Sequence, residues 1–494
     1  MELFTQFKAM QKHQKAYQYV LAIAGWDANT EAPKASFPYR AEMLGMISGE
    51  HFSLATSEAY QAVVNELMKT IDTLDTQDAL EVRRAKKTLD KIINIPKDEY
   101  VEYAKLMNLS QRVWEDAKAT DDYEAFKPYL KKIIDAKKRH IAYRTDRKDM
   151  YNVLLDDFEE GMDMAQYDAF FDTLKKDLVP FVKAVLTKKR AVEPFAVATY
   201  PRDGQKRFIE YLMNVFHYDQ NRGLVKESVH PFTWSTHTQD VRFTVRYIED
   251  QLFSSIFAGA HELGHAIYDL NFDPALDDTN LNQGASHGIH ESQSRFYENI
   301  VARSKPFWVA NLEALKNEFP TQLQGVDVER FYRAINAVDE TYIRVEADEL
   351  TYPLHILLRY EIERDIFEGN LDVDALPEVW NQKMKQYLNL TPQKMSVGVL
   401  QDVHWSAGMF GYFPTYALGS AYAAQIYATM KQDLDVDALL KNNDIQMINA
   451  WLQEKIHRHG ATKKPLELLE MVTGESFNPS YYVDYLKAKY SALY

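Results

Sequence analysis

Apolar residues recur at spacings of three and four along YEAFKPYLKKIIDAKKRHIAYR (123–144), YDAFFDTLKKDLVPFVKAVLTKK (167–189) and LTYPLHILLRYEIERDIF (350–367). That period predicts helices whose Lys and Glu residues fill solvated faces. DVRFTVRYI (240–248) follows a different rule: Val241, Phe243, Val245 and Tyr247 alternate with Arg242, Thr244 and Arg246, which predicts a strand with one polar face. It runs almost directly into another helical pattern. At about 100 degrees per residue, Leu252, Ile256, Leu263, Ile267 and Leu270 fall within roughly 60 degrees of one another, an apolar stripe that must be buried. Phe253, Phe257 and Tyr268 cover much of the remaining circumference, so protein encloses this helix on most sides. The expected fold is mainly α, with a small β element beside this one helix.

Composition narrows the class. A chain of 494 residues, 46% hydrophobic and 13% aromatic, buries a large core and is not disordered. Length alone allows about three domains, yet no Ser/Gly-rich linker, low-complexity run or repeat divides it, so a single domain over 1–494 is expected. The weakest join is TKKRAVEPFAVATYPRDGQ (187–205), separating an N-terminal helical part, to about 200, from the remainder, about 201–494. A formal charge of -15 argues against nucleic acid as a partner. With no cysteine, disulfides and thiolate ligands are excluded, and any metal site must use His and carboxylates. The opening MELFTQFKAMQKHQKAYQY lacks a signal peptide's apolar core, and nowhere do about 18 apolar residues run together. A soluble cytoplasmic protein without a membrane partner is the expectation.

Within the enclosed helix, FAGAHELGHAIYD (257–269) carries His261, Glu262 and His265. The chain's own His and Glu frequencies give roughly 3 accidental H-E-x-x-H matches per hundred such sequences, so context must decide. The helical wheel puts the two histidines about 40 degrees apart on the side away from the apolar stripe, with Glu262 flanking them. A catalytic zinc needs a third protein ligand and one open position. Asn271 stands where a metzincin would place its third His, which excludes that class. The remaining solution is a carboxylate from a later helix, and GIHESQSRFYEN (288–299) offers Glu291 and Glu298. Glu291 is the choice, because it opens a helical segment after the loop DDTNLNQGASHG (277–288) and can be aimed back at the first helix. The bland alternative for Glu291 is a surface pair with Arg295 at i, i+4. A common zinc-peptidase arrangement orients a ligand histidine with an Asp four residues after the ligand Glu. Arg295 occupies that position, which leaves Asp269, one turn past His265, as the candidate orienting group. The strand at 241–247 either binds an extended peptide by edge pairing or is an ordinary hairpin member.

These residues carry a resemblance over essentially the full length. GWDANTEAP, YNVLLDDFEEGM, HPF (230–232), DVRFT, HELGH, GIHESQSR, IRVEADELTY and DVHWSAGMFGYFPTYALG together resemble the carboxypeptidase Taq family of metallocarboxypeptidases. The resemblance implies a helical, saddle-like fold with a deep active-site groove, a homodimer, one divalent metal per subunit, and stepwise removal of C-terminal residues from peptides with broad specificity. Carried over by motif, the ligands are His261, His265 and Glu291, and the catalytic acid/base is Glu262. Zn2+ is the expected metal, with Co2+ or Mn2+ suited to the same donors.

Peptide hydrolysis by such a centre needs Glu262 to take a proton from water and return it to the leaving amine. It also needs a donor for the oxyanion, and His404 in DVHW and Tyr416 in GYFPTY are the candidates because the resembling family places them near the metal. An exopeptidase must also recognise a free carboxylate. Arg344 in IRVEADELTY is assigned to that task through its planar donors, against the alternative of an i, i+4 pair with Asp348. His230, Asp240, Arg242 and Thr244 belong to the same motifs as groove or scaffold. Two other readings compete: a helical zinc oligopeptidase cutting internally, and a non-catalytic helical binding protein. An aminopeptidase is disfavoured because no G-x-M-E-N-like strand is present to anchor a substrate amine.

Overall fold

Helices dominate the computed structural model, which describes residues 2–144, 149–188 and 190–494. The chain opens with a helical hairpin, Glu2–Thr30 and Phe37–Ala55. Glu2–Thr30 then packs with helices Glu58–Lys69 and Thr76–Asp90 around a small core of Phe7, Tyr60, Val63, Val64, Leu67, Val82 and Ala85. A second, much larger buried cluster runs from Ala117 to Leu493 and contains the elements that build the site.

Two of the periodic stretches form the helices Tyr123–Arg144 and Tyr352–Glu368. The third is interrupted. It starts at Met164, where Asp163 and Gln166 make a reciprocal cap, and widens into a π turn at Leu174–Leu178 before Val179–Leu186. Pro180 explains the widening, because it has no N–H to donate and its ring crowds the preceding turn. Lys189, at the end of that stretch and within the 187–205 join, lies outside the described residues. The solvated face expected for 350–367 is narrower than its charges suggest: Arg359 and Glu363 are both 0% exposed, while Arg364 and Asp365 stay partly exposed. Partners for the two buried groups come from residues 402–411: Asp402 meets Arg359, and the Trp405 indole and the Gly411 N–H donate to Glu363, so neither side chain is buried without hydrogen bonds.

The β element is a three-stranded sheet, β1 (Val225–Glu227), β2 (Thr233–His237) and β3 (Asp240–Val245), in the order β1-β3-β2. The predicted strand is β3, and it lies in the middle, parallel to β1 and antiparallel to β2. Both of its edges are used, so β3 cannot take a peptide by edge pairing. Its polar face is also shorter than expected. Thr244 is fully buried, its hydroxyl bonded to Ser228 Oγ at 2.6 Å and accepting from the Phe232 N–H at 3.0 Å. The outer strands are β1 and β2, and β2 is the one beside the helix Leu252–Leu270 at Glu262. Phe243 donates to Leu224 on the β1 side, while Thr244 donates to Phe232 on the β2 side. By alternation, the main-chain groups of Thr233 and Ser235 point away from β3.

Two buried glutamates pin the segments that carry the site. Glu159 accepts from Ser286 Oγ and the Gly288 N–H, each at 2.8 Å, and from the Tyr422 hydroxyl at 3.3 Å. Glu363 accepts from the Trp405 indole at 2.7 Å, the Gly411 N–H at 2.7 Å and the Tyr151 hydroxyl at 2.9 Å. Burial pushes both carboxyls up to about 7, from an ordinary 4.5, with the donors offsetting only part of the rise. A carboxyl raised in the folded state contributes stability that is present below about 4.5 and lost as pH climbs through about 7, on the order of 3 kcal/mol for each. Glu159→Gln and Glu363→Gln are therefore expected to flatten the fall in Tm between pH 5 and pH 8. Unfolding scans across that window with the same slope in parent and variants would remove this account.

Candidate active site

The helix Leu252–Leu270 buries the stripe predicted for it, with Leu252, Ile256, Leu263, Ile267 and Leu270 all at 4% exposure or less. The helix His287–Arg295 closes on its other side, and a third helix closes on that one, each through a glycine. A Cβ on Gly264, inside the H-E-L-G-H run, would sit 2.7 Å from the main chain of Gln293 and Ser294. Only glycine lets the helix His287–Arg295 cross so close. In the same way, a Cβ on Gly419 would fall 2.6 Å from Glu291 Cβ, so the helix Phe413–Asp433 lies directly against that glutamate. The N-terminus of His287–Arg295 is fixed by Ser286, whose Oγ accepts from the Ile289 N–H. Glu291 is thereby delivered to the histidines at backbone-contact range.

Glu291 Oε2 lies 3.6 Å from His261 Nε2 and 3.6 Å from His265 Nε2. Among the described residues these three side chains converge, their ligand atoms all within 4.8 Å of one another. The donor set fits a divalent ion: bonds of 2.0–2.1 Å in a tetrahedron put donors roughly 3.3 Å apart. Each histidine has its other nitrogen engaged. His261 Nδ1 meets Glu298 Oε2 at 2.9 Å, and His265 Nδ1 meets His290 Nδ1 at 2.5 Å. The Arg295–Glu291 pair does form, at 2.6 Å, but on Oε1 and out of solvent, and Arg295 also reaches Glu298 Oε2 at 2.9 Å. Burial works against the Glu298 charge, yet Arg295 and His261 outweigh it and hold the carboxyl down to about 2. Burial, with His290 and His261 adding to it, pushes His265 well below the usual histidine range, leaving a neutral ring.

Glu262 is 6% exposed, and burial raises its pKa. Thr233 on β2 donates to its Oε2 at 2.6 Å and lies 3.0 Å from its main-chain carbonyl, which ties this outer strand to the carboxylate.

Arg344 is 6% exposed and does not pair with Asp348, whose carboxylate accepts instead from the N–H groups of Leu350 and Thr351. Its partner is Asp402: Nε and Nη2 reach Oδ1 at 3.0 and 2.9 Å, while Nη1 donates to the Tyr352 hydroxyl at 3.0 Å. Asp402 Oδ2 accepts from Arg359. One carboxylate thus faces two buried guanidiniums, and the group keeps one surplus positive charge. The Arg344 guanidinium stands 5.0 Å over the Tyr416 ring, and His404 Nε2 lies 3.2 Å from the Tyr416 hydroxyl. Burial lowers His404 to about 3, with Arg344 adding to the effect, and burial holds Tyr416 well above the usual phenol range. A neutral imidazole thus meets a phenol that keeps its proton. Of the remaining motif residues, Asp240 and Arg242 pair bidentately and His230 is exposed.

His290, Asp402 and Thr233 were not assigned from the sequence, and Glu298 figured there only as the rival ligand to Glu291. Glu298 was readable in principle: seven residues after Glu291, it returns to the same helix face. Asp269 was readable but reaches His265 only through His290, to which it is bonded at 2.9 Å.

With this geometry established, the chain was compared with known proteins. Residues 6–490 match the family described as carboxypeptidase Taq (M32) metallopeptidase. Carboxypeptidase 1 of Bacillus subtilis is 43% identical, covering 100% of both chains. Thermostable carboxypeptidase 1 of Pyrococcus furiosus is 35% identical over 99% of this chain and 98% of that one. The crystal structure of an M32 carboxypeptidase from Deinococcus radiodurans superposes with a TM-score of 0.96 at 32% identity, covering 100% of this chain and 99% of that one.

Proposed function

Since the chain belongs to the carboxypeptidase Taq (M32) metallopeptidase family and is a metallocarboxypeptidase using a divalent metal, we propose that this metal is zinc, held by His261, His265 and Glu291, with Glu262 as general base and acid. The observation that carries the reading is the convergence of two Nε2 atoms and one carboxylate oxygen beside a buried glutamate. When bound, the ion supplies Lewis-acid polarisation of the scissile carbonyl and a lowered pKa for its water. The protein's own groups do the rest. Glu262, held by Thr233, takes the proton of the attacking water and passes it to the leaving amine. Tyr416, which keeps its proton, donates to the developing oxyanion while His404 backs its hydroxyl.

Arg344 receives the substrate's terminal carboxylate. The Arg344–Asp402–Arg359 group is one negative charge short, and a peptide's free C-terminus supplies it. The outer β2 edge offers the main-chain groups of Thr233 and Ser235 to an extended substrate on the Glu262 side. Broad specificity fits the aromatic wall of Phe158, His287 and Tyr412, where burial lowers His287 to about 4 and leaves it uncharged. The chain acts as one catalytic domain and as a homodimer. The helix Phe37–Ala55 buries none of its residues and exposes Tyr39 and Met46 on one side, an apolar patch suited to a second copy and testable by sedimentation. Cytoplasmic residence fits a chain without cysteine; no helix among the described residues is long and apolar enough to cross a membrane.

The test is mass spectrometry of one peptide as free acid and as C-terminal amide, with the metal-stripped protein before and after zinc is restored. A zinc-dependent ladder losing single residues from the free acid alone is expected. Internal cuts in both forms would retire Arg344 as the anchor.

A further inference from the structure

We propose that His290, itself held by Asp269, fixes the tautomer of His265 and thereby sets how tightly the centre takes its metal. This rests on the reading of His261, His265 and Glu291 as the ligands. For His265 to offer Nε2 as a ligand, its ring proton must sit on Nδ1. The atom placed to accept that proton is His290 Nδ1, 2.5 Å away. His290 can accept there only if its own proton is on Nε2, and Asp269 Oδ1 stands 2.9 Å from that nitrogen with lone pairs alone to offer. Asp269 therefore selects the tautomer of His290, and His290 selects that of His265. With both tautomers reversed, a proton would sit on His265 Nε2, facing Glu291, and the ligand atom would be closed.

The His290 ring is held in place for this task. Tyr268 packs edge-on against it at 5.1 Å, and Gly284 leaves it room, since a Cβ there would come within 2.8 Å of His290 Cδ2. Asp269 is 6% exposed and sits one turn beyond His265 on the same helix, so the positions of donor and acceptor are set by one rigid element. His261 has a different solution, a carboxylate in direct contact. The two ligand histidines are thus positioned by unlike devices, and only His265 depends on a second ring.

The experiment measures zinc affinity by competition with a chromophoric chelator for the metal-stripped parent, His290→Phe, His290→Asn and Asp269→Ala, alongside Tm in excess chelator. His290→Phe keeps the ring against Tyr268 but removes the acceptor, and is expected to weaken zinc binding about 10–100-fold with little change in the metal-free Tm. His290→Asn, whose amide oxygen can accept, should recover part of the loss. Asp269→Ala, which leaves His290 in place but free to reverse, should lose a smaller part. Affinities of His290→Phe and Asp269→Ala within about twofold of the parent would overturn the proposal and leave His290 a packing residue. A parent that binds zinc no better than His265→Ala would instead remove the ligand assignment beneath it.

Discussion

Glu262→Gln is expected to lower kcat about 10²–10⁴-fold, with zinc affinity and KM close to those of the parent. The substitution is nearly isosteric, and an amide still meets the Thr233 hydroxyl that anchors the side chain on one flank. What it cannot do is accept a proton from water. Because Glu262 is not among the three converging donors, its loss should not empty the site, and metal content by atomic absorption should match the parent's. A variant retaining more than about a tenth of the parent's kcat would exclude Glu262 as the base. A variant that instead lost its metal would mean that the carboxylate holds the centre together. The split between kcat and metal affinity is also what separates this residue from His290, for which metal affinity is the quantity expected to move.

The helix carrying the site was legible because its signal is local. Leu252, Ile256, Leu263, Ile267 and Leu270 define a buried face by period alone, and the same period throws His261 and His265 to a common side. Glu291 was reachable from a loop followed by a helix start. The groups that tune the centre were not legible, because tertiary approach places them. Asp402 lies 58 residues from Arg344, and Thr233 lies 29 from Glu262. Against such distances the nearest charge at i, i+4 is a poor guide: Asp348 is spent on the turn that leads into the following helix. The same blindness made Arg359 and Glu363 look solvated, since their partners come from the segment around Trp405 and Gly411. β2 was missed for another reason. TWSTH is five residues of mixed polarity with no alternating pattern, and it is a strand because β3 offers it an edge.

Arg344→Gln is expected to reduce kcat/KM for a free-acid peptide by about 10²-fold or more, while the slow rate on the matching amide barely moves. The argument is one of charge. Arg344, Arg359 and Asp402 together leave one positive charge without a partner in a buried setting, and burial makes that surplus costly unless an anion arrives. A substrate's terminal carboxylate brings that anion, so part of the binding energy comes from relieving the enzyme's own imbalance. Removing Arg344 leaves Arg359 and Asp402 as a neutral pair with nothing to attract a carboxylate. Some stability will be lost as well, since Arg344 also bonds Tyr352. For that reason the readout is the ratio of the free-acid rate to the amide rate, from which the folded fraction cancels. A ratio falling toward one would identify Arg344 as the group that makes this peptidase act at the free C-terminus. A ratio unchanged beside a lowered Tm would mean that Arg344 and Asp402 serve only to hold the segment of His404 against the helix of Arg359.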